Sequence, residues 1–174
     1  MLRWSSVLLS GVLSVLCWNV SFADPAQVAR GKYLVTVGGC NDCHTPGYFL
    51  GKPDFKRELA GSDVGFELPD GGVVVGRNLT PDKDTGLGSW TDQQIAIAIR
   101  AGVRPDGRVL APVMPWPALS KLTQADADAI VSYLRQLPPV KNKIPGPIKS
   151  GEAIPVFRFK MMPPSQPLVA RPNP

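Results

Sequence analysis

Two cysteines and one histidine form the most specific chemical pattern in the chain. Cys40 and Cys43 are separated by two residues, and His44 follows directly. Thiols about one helical turn apart can each add to one vinyl group of the same porphyrin, and the histidine that follows can give an imidazole nitrogen to the iron. The C-x-x-C-H spacing therefore predicts one covalently attached haem c, with Cys40 and Cys43 as attachment points and His44 as the proximal iron ligand.

The same cysteine spacing has two other uses. Thioredoxin-like redox sites contain one C-x-x-C pair, and zinc sites commonly use two. This chain has no second pair, and His44 is its only histidine. Its remaining cysteine, Cys17, lies in a segment that we expect to be removed. A redox dithiol or a small metal site is the alternative to haem attachment.

The iron needs a second axial ligand, and a second histidine from the same chain is excluded. A lysine, the N-terminal amine or water could bind, but a methionine thioether is the usual partner. Pro112 and Pro115 restrict the backbone around Met114, which makes it a better candidate than Met161 or Met162. Ligation by Met114 would leave no open iron position, which favours electron transfer. Without it, an open-iron haem enzyme of the peroxidase type or a gas sensor is the alternative.

The first helix should lead directly into the cysteine motif. Asp24 can cap this helix, and Pro25 at its first position costs no hydrogen bond. We expect the helix to run to about Val37, where two glycines end it just before Cys40.

Two later helices also have start and stop signals. Thr91 opens one that should end near Gly102, and Thr123 opens another that Pro138 stops. Between them, residues 113–117 contain two prolines and are predicted to be neither helix nor central strand. The apolar residues of the last helix fall on one face: Ala127, Ile130, Val131, Leu134 and Leu137.

Residues 45–76 are rich in glycine and proline and should be irregular, and residues 76–86 should form a further loop. One small hairpin is predicted, with residues 66–68 and 73–75 on either side of a Pro-Asp-Gly-Gly turn. Asp82, Asp84 and Gly86 resemble a calcium-binding loop, but the glycine is one position early. A hydrogen-bonded turn is predicted there, and calcium binding is the alternative.

The first 23 residues predict a secretory signal peptide. Arg3 gives a positive start, an apolar run extends from Val7 to Trp18, and small residues precede the expected cleavage after Ala23. The run is shorter than the roughly 20 apolar residues of a membrane span, although an uncleaved anchor is the alternative. We therefore expect export to the periplasm.

Charge is distributed unevenly along the chain. The formal net charge is +5, from 19 basic and 14 acidic residues. Residues 138–174 hold six basic side chains, one acidic side chain and ten prolines, whereas residues 24–137 have a net charge of −1. The composition predicts an extended basic tail that contacts the domain or an acidic partner. No basic run is interleaved with aromatic residues, so we expect no nucleic-acid binding.

The order of these features resembles a class I cytochrome c domain over about residues 24–137. The similarity is greater to one haem domain of the cytochrome c subunits of periplasmic alcohol and gluconate dehydrogenases. Those subunits usually carry three C-x-x-C-H motifs, and this chain carries one. The resemblance rests on four stretches: NLTPD at 78–82, TGLGSWT at 85–91, MPW at 114–116 and LPPV at 137–140.

This resemblance implies an all-α, cytochrome c-like fold with long loops and a proline-rich C-terminal extension. The first and last helices should cross at Gly31 and Tyr133. The family pattern around Trp90, with the nearby charge of Arg77, implies that these two residues hold a haem propionate. The expected organisation is a signal peptide at 1–23, a monohaem cytochrome c domain at 24–140 and a proline-rich basic tail at 141–174.

The implied function is the transfer of single electrons between a donor dehydrogenase and the respiratory chain. The acceptor would be a terminal oxidase or another redox protein. The protein would not itself be an enzyme, although a permanent place in a dehydrogenase complex, with the tail as docking segment, is an alternative to free diffusion. Peripheral association with the membrane is compatible with either role.

Overall fold

The computed structural model describes residues 24–162. The predicted signal peptide and the last 12 residues of the tail lie outside this range. Within it, short 3₁₀ turns at Tyr48–Leu50 and Phe55–Arg57 accompany the helices and strands. In chain order these are α1 (Pro25–Val37), α2 (Cys40–His44), β1 (Val64–Glu67), β2 (Val73–Val75), α3 (Asp92–Ala101), α4 (Trp116–Leu119), α5 (Gln124–Gln136) and β3 (Phe157–Phe159).

Helices α1 and α5 pack against each other through a glycine. Asp24 caps α1 by accepting a hydrogen bond from the Ala26 N–H at 3.0 Å. Where the helices cross, a Cβ added to Gly31 would overlap the Ala129 carbonyl and lie 2.9 Å from the Tyr133 Cβ. The backbones approach this closely because residue 31 has no side chain. The predicted crossing at Gly31 and Tyr133 is therefore present.

Helix α3 completes the main apolar core. Thr91 and Gln94 form the predicted capping box, and the helix ends at Gly102 in the left-handed region, with φ of 67°. Thr123 caps α5 with its side chain, which accepts a hydrogen bond from the Asp126 N–H. Buried residues of the core include Val35, Leu59, Leu87, Ile95, Ala127, Ile130, Val131 and Leu134.

The expectation for residues 113–117 was wrong in part, because α4 begins at Trp116. Pro117 lies in the first turn of this helix. A proline there loses nothing, because the N–H groups of the first turn have no partner within the helix. A proline in this position is therefore compatible with the helix.

A three-stranded sheet stands beside the helices, so the all-α expectation needs correction. Strands β1 and β2 form the predicted antiparallel hairpin, with Gly65 opposite Val75. Strand β3 pairs parallel to β1, with Val64 opposite Phe157. The order is β2-β1-β3. The third strand comes from the tail, and local sequence patterns do not reveal a pairing between segments so far apart in the chain.

The described part of the tail is extended and lies along the domain. Ile144 and Ile148 are buried in a second apolar cluster with Val73 and Val75. Ile148 also exchanges backbone hydrogen bonds with Val73 at 2.8 and 2.9 Å. None of the helices in residues 24–162 is long and apolar enough to cross a membrane.

Candidate haem site

The two cysteines of the motif lie on the same short helix. Gly39 precedes α2 with φ of 65°, a left-handed conformation that allows the chain to turn from α1 into α2. Cys40 and Cys43 are half-buried free thiols. Burial raises the pKa of the Cys40 thiol to about 11 and also raises the pKa of Cys43. Both thiols are therefore in the protonated form near neutral pH.

His44 ends α2 and is held in one tautomer. Its Nδ1 lies 2.6 Å from the carbonyl oxygen of Arg77. A carbonyl oxygen can only accept, so Nδ1 carries the proton and Nε2 keeps a free lone pair. The side chain is only 8% exposed, and this burial lowers the pKa of His44, which the hydrogen bond to Arg77 partly offsets. The histidine is therefore a neutral imidazole with one nitrogen available for a metal.

The backbone around Gly76 packs directly on the motif. A Cβ at residue 76 would overlap the Cys43 carbonyl oxygen and lie 3.5 Å from the His44 Nδ1. This close approach brings Arg77 within hydrogen-bonding distance of the histidine ring. Gly76 was not predicted as a site residue, although a glycine directly after a strand is a known sign of close backbone contact.

A second loop, around Gly61, also contacts the C-terminal end of the motif helix. The Gly61 N–H donates to the His44 carbonyl at 2.7 Å. The buried Thr45 hydroxyl donates to Asn41 at 2.8 Å and accepts from the Leu59 N–H at 3.0 Å. The histidine is thus fixed through its ring and through its backbone.

Met114 lies in a turn before α4 and is partly exposed. Its N–H donates to the Ala111 carbonyl at 3.0 Å, and its carbonyl accepts from the Trp116 N–H at 2.7 Å. By contrast, Met161 and Met162 are 94% and 68% exposed. Among residues 24–162, Met114 is therefore the methionine with the most burial, and its role as distal ligand stays a prediction.

Trp116 anchors the turn that carries Met114. Its indole Nε1 donates to the Leu110 carbonyl at 3.1 Å. Its ring lies against Gly102, where an added Cβ would be 2.6 Å from the ring carbon Cγ. The position of the methionine turn therefore depends on the end of α3.

Arg77 and Trp90 interact with different parts of the chain. The Arg77 guanidinium donates through Nη1 to the carbonyl oxygens of Ile144, at 2.9 Å, and Pro145. The Trp90 ring lies under the guanidinium of Arg104, with Cζ 4.8 Å from the ring centroid. The sequence did not predict these contacts, and the propionate-binding role of Arg77 and Trp90 stays a prediction.

Two further arginines, Arg104 and Arg108, lie near Arg77. The Arg104 N–H donates to the Arg108 carbonyl at 3.0 Å across a turn. Burial, followed by the charges of Arg104 and Arg108, lowers the pKa of Arg77. The Pro-Asp-Gly turn at 105–107 could have revealed this pair, because it reverses the chain between them. Arg77, Arg104 and Arg108 are thus close enough for their positive charges to act on one another, and they are called the arginine cluster below.

The segment at 82–88 is a hydrogen-bonded turn. Asp82 Oδ1 accepts from the Thr85 N–H at 2.7 Å and from its hydroxyl at 2.6 Å. The Asp82 carbonyl accepts from Gly86 and Gly88. In the described range no three acidic, histidine or cysteine side chains gather as a metal site. The arrangement agrees with the predicted turn.

The cytochrome c family model matches residues 28–138. The chain belongs to the cytochrome c family. The expected resemblance to class I c-type cytochromes is confirmed, and membership implies covalently bound haem c. The residues described above fit such a group, since two free thiols and one neutral imidazole with a free nitrogen lie on the same helix.

Known proteins with similar sequences include three cytochrome c subunits of dehydrogenases. The cytochrome c subunit of alcohol dehydrogenase (quinone) from Gluconobacter oxydans (strain 621H) is 33% identical over 127 residues, covering 71% of this chain and 24% of the relative. The corresponding subunit from Gluconacetobacter polyoxogenes is 32% identical over 114 residues, covering 64% and 22%. The gluconate 2-dehydrogenase cytochrome c subunit of Pantoea cypripedii is 32% identical over 133 residues, covering 76% and 28%. The chain thus spans about a quarter of the length of these relatives.

Proposed function

We propose that this chain is an exported, monohaem c-type cytochrome that transfers single electrons between a periplasmic dehydrogenase and the respiratory chain. The observation that carries the proposal is the state of His44. Its Nδ1 proton is committed to the Arg77 carbonyl at 2.6 Å, and burial favours the neutral ring. Metal-binding histidines in proteins are commonly oriented by such a hydrogen bond from the other ring nitrogen.

Each residue of the motif has a separate role in this proposal. Cys40 and Cys43 hold the porphyrin through thioether bonds, and His44 Nε2 is the proximal ligand. The haem supplies reversible one-electron chemistry at its iron. Met114 supplies the distal sulfur, a soft ligand that favours the ferrous state. Two protein ligands leave no iron position for a substrate, which supports electron transfer over catalysis.

The arginine cluster is proposed to stabilise the haem propionates. Arg77, Arg104 and Arg108 form a positive region, and Arg104 stacks on Trp90. Asp106 neutralises part of this charge through its ion pair with Arg104 at 3.3 Å. The remaining charge suits two carboxylates. Trp90 would then contribute its indole N–H, and Arg77 the guanidinium nitrogens that do not bind the tail.

The names of the relatives support a dehydrogenase as the donor. They are cytochrome c subunits of alcohol and gluconate dehydrogenases. This chain matches one part of them and contains a single C-x-x-C-H motif. We propose that it works as one electron-transfer unit, either as a subunit or as a separate shuttle, with a terminal oxidase or another acceptor downstream.

Spectroscopy of the purified protein tests the proposal. The protein would be produced with a c-type cytochrome maturation system, and its ferric and ferrous spectra recorded during a redox titration. We expect low-spin, six-coordinate iron in both states and a one-electron transition. High-spin, five-coordinate iron that binds added ligands would contradict the proposal and support the open-iron alternative.

A further inference from the structure

The tail reaches the two residues that hold His44. The backbone carbonyl of Arg77 accepts a hydrogen bond from the His44 ring, and the Gly61 N–H donates to the His44 carbonyl. The tail segment 140–148, called the strap below, contacts both of them. It offers the carbonyls of Ile144 and Pro145 to the Arg77 guanidinium, and it places the Ile144 side chain on Gly61.

The contact with Gly61 depends on the absence of a side chain there. Gly61 has φ of 107°, and an added Cβ would lie 2.5 Å from the Ile144 Cδ1. Ile144 is itself buried, with 7% exposure. The strap therefore packs directly against the loop at Gly61, which donates a hydrogen bond to the His44 carbonyl.

Polar side chains fix the strap along its length. Asn142 Nδ2 donates to the Ala60 carbonyl at 2.9 Å, next to Gly61. Asn78 Nδ2 donates to the Val140 carbonyl at 2.7 Å, next to Arg77. Asn78 is almost fully buried. Each of these bonds joins the strap to a residue beside one of the two that contact His44.

We propose that the strap is a positioning element of the haem site, which holds Arg77 and Gly61 so that the His44 ring keeps its hydrogen bond. This inference rests on the proposed function, because it concerns the proximal ligand. A firm bond at Nδ1 makes the imidazole a stronger electron donor to the metal, and this stabilises ferric iron. Loosening the strap should therefore raise the reduction potential.

Charge-neutral variants in the strap test this inference in the full-length protein. Ile144→Ala removes the contact with Gly61, and Asn142→Ala removes only the hydrogen bond to Ala60. The milder Asn142→Ala keeps the test valid if Ile144→Ala folds poorly. The control is Phe157→Ala, because this tail residue lies in β3 outside the strap and is 67% exposed.

Two quantities would be measured, namely the reduction potential and the rate at which the His44 Nδ1 proton exchanges with solvent, by NMR of the ferrous protein. We expect a higher potential and severalfold faster exchange in both strap variants, with the larger change for Ile144→Ala. The control should behave as the wild type.

The outcomes separate this inference from the proposed function. A low-spin cytochrome in which both strap variants leave the potential and the exchange rate unchanged overturns the strap inference alone. Equal shifts in the Phe157→Ala control also overturn it, since they indicate a general loosening. A wild-type protein without covalent haem overturns both.

Discussion

The two sides of the candidate haem site are built differently. On the histidine side, His44, Gly61 and Gly76 are joined by backbone contacts and hydrogen bonds within buried or half-buried structure. On the methionine side, Met114 is partly exposed and Val113 is 40% exposed. The turn there is anchored mainly through Trp116.

This difference indicates which side is formed by the protein alone. On the histidine side, the geometry is set by close packing of the protein backbone and does not require bound haem. The methionine side has fewer internal constraints, so its final position would depend on the sulfur–iron bond. Changes on the histidine side should therefore impair folding and haem attachment, whereas changes on the methionine side should alter the spectrum and the potential.

The largest effect is expected from Gly76→Ala. The new methyl group would overlap the Cys43 carbonyl oxygen. Backbone cannot move aside as a flexible side chain can, so we expect a loss of about 3 kcal/mol or more in the free energy of unfolding. Little covalent haem should be attached. Thermal unfolding followed by circular dichroism and the haem content per chain would measure both effects.

Gly146→Ala is the matched control. Gly146 belongs to the strap, but nothing lies within 4 Å of its added Cβ, so the substitution leaves the strap contacts of Ile144 and Asn142 in place. It should unfold close to the wild-type temperature and carry the wild-type amount of haem. If Gly76→Ala were as stable as this control, the histidine side would not be closely packed in the way described.

The next largest effect is expected from Met114→Ala. Loss of the thioether should abolish the long-wavelength sulfur–iron charge-transfer band of the ferric protein. It should also lower the reduction potential, because water favours ferrous iron less than sulfur does. The site should open to cyanide or imidazole. Folding should change little, which distinguishes this variant from Gly76→Ala.

The exposed Met162 provides the control, and Met162→Ala should keep the band and the potential. Retention of the band in Met114→Ala, with its loss in a variant of Met161 or Met162, would place the distal ligand in the tail.

A smaller effect is expected from Arg104→Met. The positive charge near the site should favour ferrous iron, and removing it should lower the potential by about 1 kcal/mol in free-energy terms. The stacking contact with Trp90 would be lost as well. Potentiometric titration would measure the shift. Arg57→Met, in an exposed ion pair with Asp54, serves as control, and an equal shift there would argue against a specific role for the cluster.

The smallest effect is expected from Asp126→Asn, which lies away from both the histidine side and the methionine side of the site. Hydrogen bonds from Thr123 and Arg30 hold the pKa of this carboxyl below its usual value of 3.8. Because the folded pKa is lowered, the stabilisation is present above pH 3.8 and is lost as pH falls through the folded value. Asp126→Asn should therefore lower the urea midpoint slightly at pH 7 and less at pH 3. A changed haem spectrum would contradict the separation of this region from the site.

The sequence predicted the parts of the fold that depend on local signals. The caps at Asp24, Thr91 and Thr123 and the stop at Pro138 correspond to the ends of α1, α3 and α5. The β1–β2 hairpin was expected from its Pro-Asp-Gly-Gly turn. Helix α4 was missed because two prolines suggested an irregular segment.

The contacts between distant segments could not be predicted in this way. The motif identified Cys40, Cys43 and His44, but the acceptor of the histidine proton is a backbone carbonyl, which any residue carries. The same limit applies to β3 and to the strap, whose partners lie about 60 to 90 residues away in the chain. Side-chain types alone do not reveal contacts made through the backbone.

Every role proposed for the site depends on covalent haem at the Cys40–His44 motif. The direct measurement is mass spectrometry of the protein made with a working maturation system, first intact and then as proteolytic peptides. We predict one haem per chain, retained after acid–acetone extraction and found on the peptide that contains Cys40, Cys43 and His44. A protein with the mass of the bare polypeptide, or one from which the haem extracts completely, would contradict the account.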